Sequence, residues 1–378
     1  MLERLQWSTD VIASFDASEQ RIQLLSTPRR SLEFEIVVDG RDRQVAENAL
    51  HAGQSGRWAV PVWMDSQSLQ ADLASGSIVI PVDTTTRDFY AGGMAVLMTG
   101  PRAFEVVDID SLTGSTLTIA SPTIASWPAG RTEIAPLRIA RMADDLSLSR
   151  FTGDVSYGRM QFRLEGESAW PAASEVTLYL GFPILGTAPN WTDDIDQGYL
   201  RKLETLDTGT GEPFHDEEGG GAILQQSHRW LLDGRAQIDS FRRWLYARRG
   251  RLSAFWLPTF ALDFVAVADI GSAATTIDVQ NAGYTAAAAR GIGRRDIRIE
   301  LLSGTVYYRR ITGSAEISSD VERLTISAAL GAAVATSAIR SISFMSLARL
   351  EADSIELAWA RFDVVECKAV TRAPRNDL

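Results

Sequence analysis

The sequence predicts a mainly β protein: two tandem β-sandwich or small-barrel domains, each with one packed α-helix. Three observations predict it. Short alternating or apolar runs end at turn residues, with turns roughly every 8–12 residues, as in sandwiches and barrels. Short sequences of the first half return, in order, in the second. Each half also holds one stretch of helical periodicity, directly after an Asp-Gly-Arg turn.

The repeat is read from five matches. Trp7-Ser8-Thr9-Asp10-Val11 returns as Trp191-Thr192-Asp193-Asp194-Ile195, and Asp39-Gly40-Arg41 as Asp233-Gly234-Arg235. Gly56-Arg57 returns as Gly250-Arg251, Leu117-Thr118-Ile119 as Leu324-Thr325-Ile326, and Ala140-Arg141-Met142 as Ala348-Arg349-Leu350. The spacing, roughly 184 to 208 residues, makes the unit a whole domain rather than the ~20–50 residue unit of a solenoid or propeller. The expected division is a first repeat over 1–168, a junction over 169–190 and a second repeat over 191–378. A mobile loop near 207–221 and the stretch from Ala286 to Gly293 have no visible counterpart and read as insertions.

The elements follow in order. Ser31-Leu32-Glu33-Phe34-Glu35-Ile36-Val37-Val38 alternates, then turns at Asp39-Gly40: a strand. Asp42 to Ala52 is the first helix, its face formed by Val45, Ala46, Ala49 and Leu50. An aromatic strand, Trp58-Ala59-Val60-Pro61-Val62-Trp63, comes next, with a proline that points to an edge or a strand end. Gly76 to Val82 and Ser115 to Ile119 continue the strands, and Glu175 to Leu180 should close the first half. In the second half the helix spans Ala236 to Arg248. Ile238, Phe241 and Leu245 fall on one face, Arg243 lies across the wheel, and Arg242 and Arg248 flank the apolar side. Gly250 ends it, and Leu252 to Pro258 is the matching aromatic strand. Arg298 to Leu302 and Gly304 to Tyr308 are further strands.

Composition narrows the chemistry. At 378 residues, with 45% hydrophobic and 22% charged, each half can build a normal core. No apolar run is long enough for a membrane helix. The first residues lack the pattern of a signal peptide, and a single cysteine, Cys367, excludes an intrachain disulfide, so synthesis in a reducing cytosol is expected. The net charge of −11 argues against a protein that grips duplex DNA, and suits a passage through which DNA slides without sticking.

No catalytic, metal or cofactor site is expected. His51, His215 and His228 lack the spacing of a zinc site. His215 with Asp216 and Glu218 reads as an acidic solvated loop before it reads as a cation site. There is no nucleophile elbow and no phosphate loop, and Gly291-Ile292-Gly293 is read as a loop. The recurring polar residues, Asp39, Arg41, Arg57, Asp233, Arg235 and Arg251, have two readings. One is a contact between subunits or rings; the plainer one is a solvated turn with a local ion pair to Asp39 or Asp233. The basic run from Arg242 to Arg251 reads as the polar face of a helix at a protein interface rather than a nucleic-acid site, because Trp244 and Tyr246 extend the core.

The helix from Ile238, the Arg248-Arg249-Gly250-Arg251 turn and the strand holding Phe255-Trp256 resemble the distal tail proteins of long-tailed bacteriophages and gene transfer agents. So does the stretch Ser14-Phe15-Asp16-Ala17-Ser18-Glu19-Gln20-Arg21-Ile22 followed by Thr27-Pro28-Arg29-Arg30, although Ala17 or Ser18 stands where that group commonly has glycine. The resemblance implies a tail-tube-like fold and a structural role at the tail tip, in a ring joining the tail tube to hub and fibre proteins around the DNA channel. Two units per chain imply a trimer with pseudo-sixfold symmetry before a true hexamer. It implies a virion protein assembled in the host cytoplasm, without membrane insertion. The alternative from the residues alone is a carbohydrate- or receptor-binding module of a virion or cell surface, since tandem sandwiches rich in tryptophan suit sugar stacking. Trp58, Trp63 and Trp256 in apolar strands speak against it.

Overall fold

The computed structural model describes residues 1–14, 18–173, 177–191, 194–201, 203–217, 222–289, 291 and 293–373. Among the segments read above, 15–17, 174–176, 192–193, 202, 218–221, 290, 292 and 374–378 lie outside the described residues.

The chain is mainly β. The first half runs β1 (Leu2–Gln6), β2 (Thr9–Ala13), β3 (Glu19–Gln23), β4 (Arg29–Asp39), α1 (Gly40–Gly53), β5 (Trp58–Pro61), β6 (Gln67–Ser68) and β7 (Val79–Pro81). It continues with β8 (Met94–Gly100), β9 (Ala103–Leu112), β10 (Thr116–Ile119), β11 (Glu133–Met142), β12 (Leu148–Arg150) and β13 (Val155–Leu164). A linking hairpin follows, β14 (Leu178–Tyr179) and β15 (Phe182–Pro183). The second half runs β16 (Gln197–Leu200), β17 (Leu203–Leu206), β18 (Phe214–Glu217), β19 (Ile223–Asp233), α2 (Arg235–Arg248), β20 (Phe255–Pro258), β21 (Thr276–Gln280) and α3 (Tyr284–Ala287). It ends with β22 (Asp296–Leu301), β23 (Val306–Glu316), β24 (Val321–Ile326), β25 (Ile339–Leu350), β26 (Ser354–Arg361) and β27 (Val364–Ala373).

The repeat extends to strand pairing. The pairs β4–β13, β5–β11, β8–β11, β8–β9, β9–β10, β7–β10, β11–β13 and β12–β13 return as β19–β27, β20–β25, β22–β25, β22–β23, β23–β24, β21–β24, β25–β27 and β26–β27. Register is kept as well. Ala140 faces Trp58 as Ala348 faces Phe255, and Leu117 faces Ile80 as Leu324 faces Ile277. One bulge recurs as well: the β9–β10 ladder skips Asp110, and the β23–β24 ladder skips Thr312.

Register also corrects two readings. At the spacing that carries Asp39 to Asp233, Glu3 faces Leu32 as Gln197 faces Gln226, and Thr9 faces Gln23 as Leu203 faces Glu217. The hairpin β17–β18 therefore copies β2–β3, and within the stretch near 207–221, expected to be an insertion, 214–217 is β18 and 208–212 are at the position of the first hairpin's tip. The same spacing carries Trp7 to Arg201, so its match with Trp191 is a coincidence. Trp7 is buried just after β1, while Trp191 is exposed before β16. The stretch from Ala286 does differ between the copies: α3 ends within it, and the segment joining β21 to β22 is longer than that joining β7 to β8.

The halves do not form two separate cores. A central cluster draws Leu5, Leu32, Phe34 and Phe162 from the first copy and Trp230, Phe241, Leu245, Phe255 and Leu357 from the second. Each copy adds an outlying cluster of equivalent residues: Ile80, Leu97, Leu117 and Ile134 in one, Ile277, Ile299, Leu324 and Ile342 in the other. Strand β1 lies between β4 and β26, so one sheet runs β16-β19-β27-β26-β1-β4-β13-β12 through both copies. Cutting the chain at 168 and 191 divides the sequence repeat but not the core.

The two helices differ in depth. In α2, Ile238, Phe241 and Leu245 are buried as their spacing requires, and Trp244 and Tyr246 join them. In α1 only Leu50 is buried, because its smaller side chains offer little to a core. The linking segment covers α2. Trp170 Nε1 donates to Asp239 at 3.0 Å, and the Ala173 amide donates to the Arg243 carbonyl at 3.0 Å. The strand expected from Glu175 to Leu180 does not close the first half. Tyr179, on β14, packs against Trp256 in the second, with ring centroids 5.2 Å apart.

Candidate functional site at the junction of the copies

The densest cluster of buried charge lies where the copies meet. Alternation along β1 turns Glu3 and Leu5 inward together. Glu3 is thereby buried among three cationic or polar neighbours from both copies. Arg242 Nη2 of α2 donates to its Oε2 at 2.6 Å, Trp359 Nε1 of β26 donates to the same oxygen at 3.0 Å, and Arg30 Nε of β4 stands 2.6 Å from Oε1. The Arg30 contact is an ion pair without an aligned hydrogen bond. Arg30 also pairs with Asp88, which pairs with Arg138, and the Asp88 amide donates to Asp65 at 3.0 Å. Asp65 in turn pairs with Arg235, the first residue of α2. Arg242 is further held over the Trp170 ring at 4.5 Å.

Burial alone would raise these carboxyl pKa values. For Glu3, Arg242 and Arg30 outweigh it and hold the carboxyl below its ordinary value. For Asp88, Arg30 and Arg138 do the same. Burial likewise opposes the charge of Arg30, and Glu3 and Asp88 overcome it. The network fastens α2 and β26 of one copy to β1 and β4 of the other. Removing one member of such a cluster is strongly destabilising, because it leaves a buried charge uncompensated.

A second clasp completes the junction. Asp353, between β25 and β26, accepts from the Thr9 amide at 2.7 Å and from the Arg251 amide at 2.9 Å. Gly250 has φ +64, and a Cβ there would lie 2.4 Å from Asp353 Oδ1, so the turn needs glycine.

The recurring polar residues are placed as follows. Arg235 lies in the junction, where it also donates to the Met64 carbonyl at 3.1 Å and the Phe362 carbonyl at 3.0 Å. Arg251 enters it through its backbone: its carbonyl accepts from Arg21. Arg57 pairs with Glu165 at 2.6 Å on the surface. Asp39, Arg41 and Asp233 are exposed, and none of the three makes an ion pair among the described residues. The structure brings Arg235 and Arg251 to the same junction and leaves Arg41 and Arg57, their counterparts, outside it. Neither Arg235 nor Arg57 pairs with Asp39 or Asp233.

Sequence reasoning missed Glu3, Arg30, Asp65, Asp88, Arg138 and Asp353. One signal was available: in Leu2-Glu3-Arg4-Leu5, Glu3 shares a strand face with a core leucine. The basic run, read as the polar face of a helix, is corrected in part, since Arg242 and Arg248 are buried. His228 is buried, its ring stacked on Trp230 at 5.5 Å, and burial pushes its pKa down to about 4. His215 sits on β18 beside Thr205. Among the described residues no group of three His, Cys, Asp or Glu side chains is placed to hold a metal ion, and no helix is long and apolar enough to cross a membrane. No protein-family model matches this sequence, and no curated protein matches it either.

Proposed function

We propose that this chain is a structural ring subunit of a phage tail tip, a distal tail or upper hub ring joining the tail tube to the baseplate and fibres. Its partners are copies of itself, as a trimer in preference to a hexamer, with tail-tube protein on one side and hub and fibre proteins on the other. DNA passes through the lumen without specific binding, and the net charge of −11 favours such passage. Assembly takes place in the bacterial cytoplasm and the product resides in the virion.

One observation carries the reading: the duplication is kept to the level of register and one bulge, while the buried pair Glu3–Arg242 of the junction is not repeated, its counterparts being the exposed Gln197 and Asn48. Repeating a surface, rather than a reactive group, is what a ring requires. Light scattering on the purified protein, then averaging of particle images without imposed symmetry, tests it. The expected result is a closed trimer of about six similar lobes. A monomer that also fails to bind tail-tube protein overturns it. Trp191, 59% exposed in a loop, keeps the carbohydrate- or receptor-binding module as the second reading. Glycan binding by that monomer would establish it.

A further inference from the structure

We propose that β12 of each chain pairs antiparallel with β16 of the next, in the register that β26 and β1 set within the chain. This rests on the ring reading and names the surfaces that make the ring.

The sheet through both copies has two open ends, and they are the counterparts of the two strands joined at its centre. Strand β16 corresponds to β1 and β12 corresponds to β26, by the registers they share with β19 and β4, and with β13 and β27. Inside the chain, Glu3 faces Leu357 and Leu5 faces Ile355. Carried to the open ends, Gln197 of one chain faces Leu148 of its neighbour, and Tyr199 faces Leu146. An unpaired edge is a template for another strand, and head-to-tail pairing of unlike edges makes a ring when the rotation between neighbours closes.

The residues at the ends match what such a junction must bury. Leu5 is fully buried, while its counterpart Tyr199 is 61% exposed. The buried ion pair Glu3–Arg242 maps to Gln197 and Asn48, both exposed and both neutral amides, which bury at far lower cost than charges. Arg235 reaches across the inner junction to Asp65; their counterparts, Arg41 and Leu262, are both exposed. Asp353, which clasps Thr9 across the junction, maps to the exposed Asp144. Strand length agrees. With a neighbour on each side β26 has 8 residues, whereas β12, with one neighbour, has 3. Pairing with β16 would extend β12 backward toward Asp145, the counterpart of Ser354.

The test is the full chain carrying Leu148→Cys and Gln197→Cys, oxidised in the assembled state. Directly opposed strand residues have Cβ atoms about 4.5–5.5 Å apart, close to disulfide range. Cys367 is buried with its thiol pushed up to about 12, so it does not compete. The expected product under non-reducing denaturation is a ladder of linked chains ending at a closed trimer. Ser147→Cys with Gln197→Cys, one residue out of register and on the opposite face, should stay unlinked. Rings that form but do not link, or that link equally through Ser147, overturn the proposed pairing and leave the ring reading standing. A protein that stays monomeric alone and with tail-tube protein removes the ring reading and the pairing with it.

Discussion

Glu3→Gln measures how strongly charge holds the two copies together. Glu3 is fully buried between Arg242, at 2.6 Å, and Arg30, at 2.6 Å. The substitution keeps shape and an acceptor for Trp359, but removes the carboxylate. Arg30 still has Asp88. Arg242 does not: its ion pair with Glu3 is the one it makes among the described residues. Stranding a buried charge in this way costs about 3–5 kcal/mol. The opposite change, Arg242→Met, leaves Glu3 with Arg30 and Trp359. Its cost should lie nearer the about 1.5–3 kcal/mol of a charge-assisted hydrogen bond. The double variant has no stranded charge, so the two effects should couple by at least about 1 kcal/mol. Urea unfolding followed by tryptophan fluorescence measures all four proteins. A Glu3→Gln protein as stable as Arg242→Met, or a coupling of zero, would refute the reasoning. The sign with pH is also set. The Glu3 and Asp88 carboxyls lie below their ordinary values when folded. The unfolded chain therefore binds more protons in that range, and stability rises with pH across it. The contribution is complete above the unfolded carboxylate values of about 3.9–4.3 and is lost as pH falls through the folded ones. Glu3→Gln should make this loss shallower.

Three further predictions follow from burial and backbone. Phe241→Ala, in the central core, should cost about 3–5 kcal/mol, while Val45→Ala on the exposed face of α1 should change stability by less than about 0.5 kcal/mol; equal urea midpoints would contradict the difference in helix depth. Gly250→Ala should strain a left-handed turn and push Asp353 away, and the Thr9 amide should then exchange faster with deuterium; unchanged exchange would refute the clasp. His228 is held neutral by burial, with its pKa pushed down to about 4, so the unfolded chain binds the extra proton and stability falls as pH drops from about 6.5 toward 4. His228→Leu should flatten that part of the stability–pH curve, and an unchanged slope would exclude His228 as its source.

Much of each copy was legible in sequence, because the strand, the Asp-Gly-Arg turn, the helix and the Gly-Arg turn are local features with their own residue signals. The helix bounds, Gly40–Gly53 and Arg235–Arg248, lie within two residues of the periodic stretches. The hairpin β17–β18 was not legible. Thr9-Asp10-Val11 and Leu203-Glu204-Thr205 share no residue at matching positions, since backbone pairing fixes register there and exposed side chains are free to vary. The identity that did stand out, Trp7 with Trp191, joins one buried and one exposed residue. The junction was invisible for another reason. Glu3 and Arg242 are 239 positions apart, and no local pattern announces a partner at that distance. A sequence repeat also suggests separable domains, whereas β1 threads the first copy into the sheet of the second.

That threading sets a clock on the protein's synthesis. Arg4 of β1 and its partner Glu356 of β26 are 352 positions apart. At about 5–20 residues per second, the strand made first waits on the order of tens of seconds for its second neighbour. During that time β1 and β4 present a half-built sheet, with Glu3 lacking the cation that α2 will supply. Long-range closure of this kind is slow and leaves sticky intermediates. Cells making the protein quickly should therefore need holding chaperones, and a chain truncated before β26 should aggregate rather than yield a stable first copy.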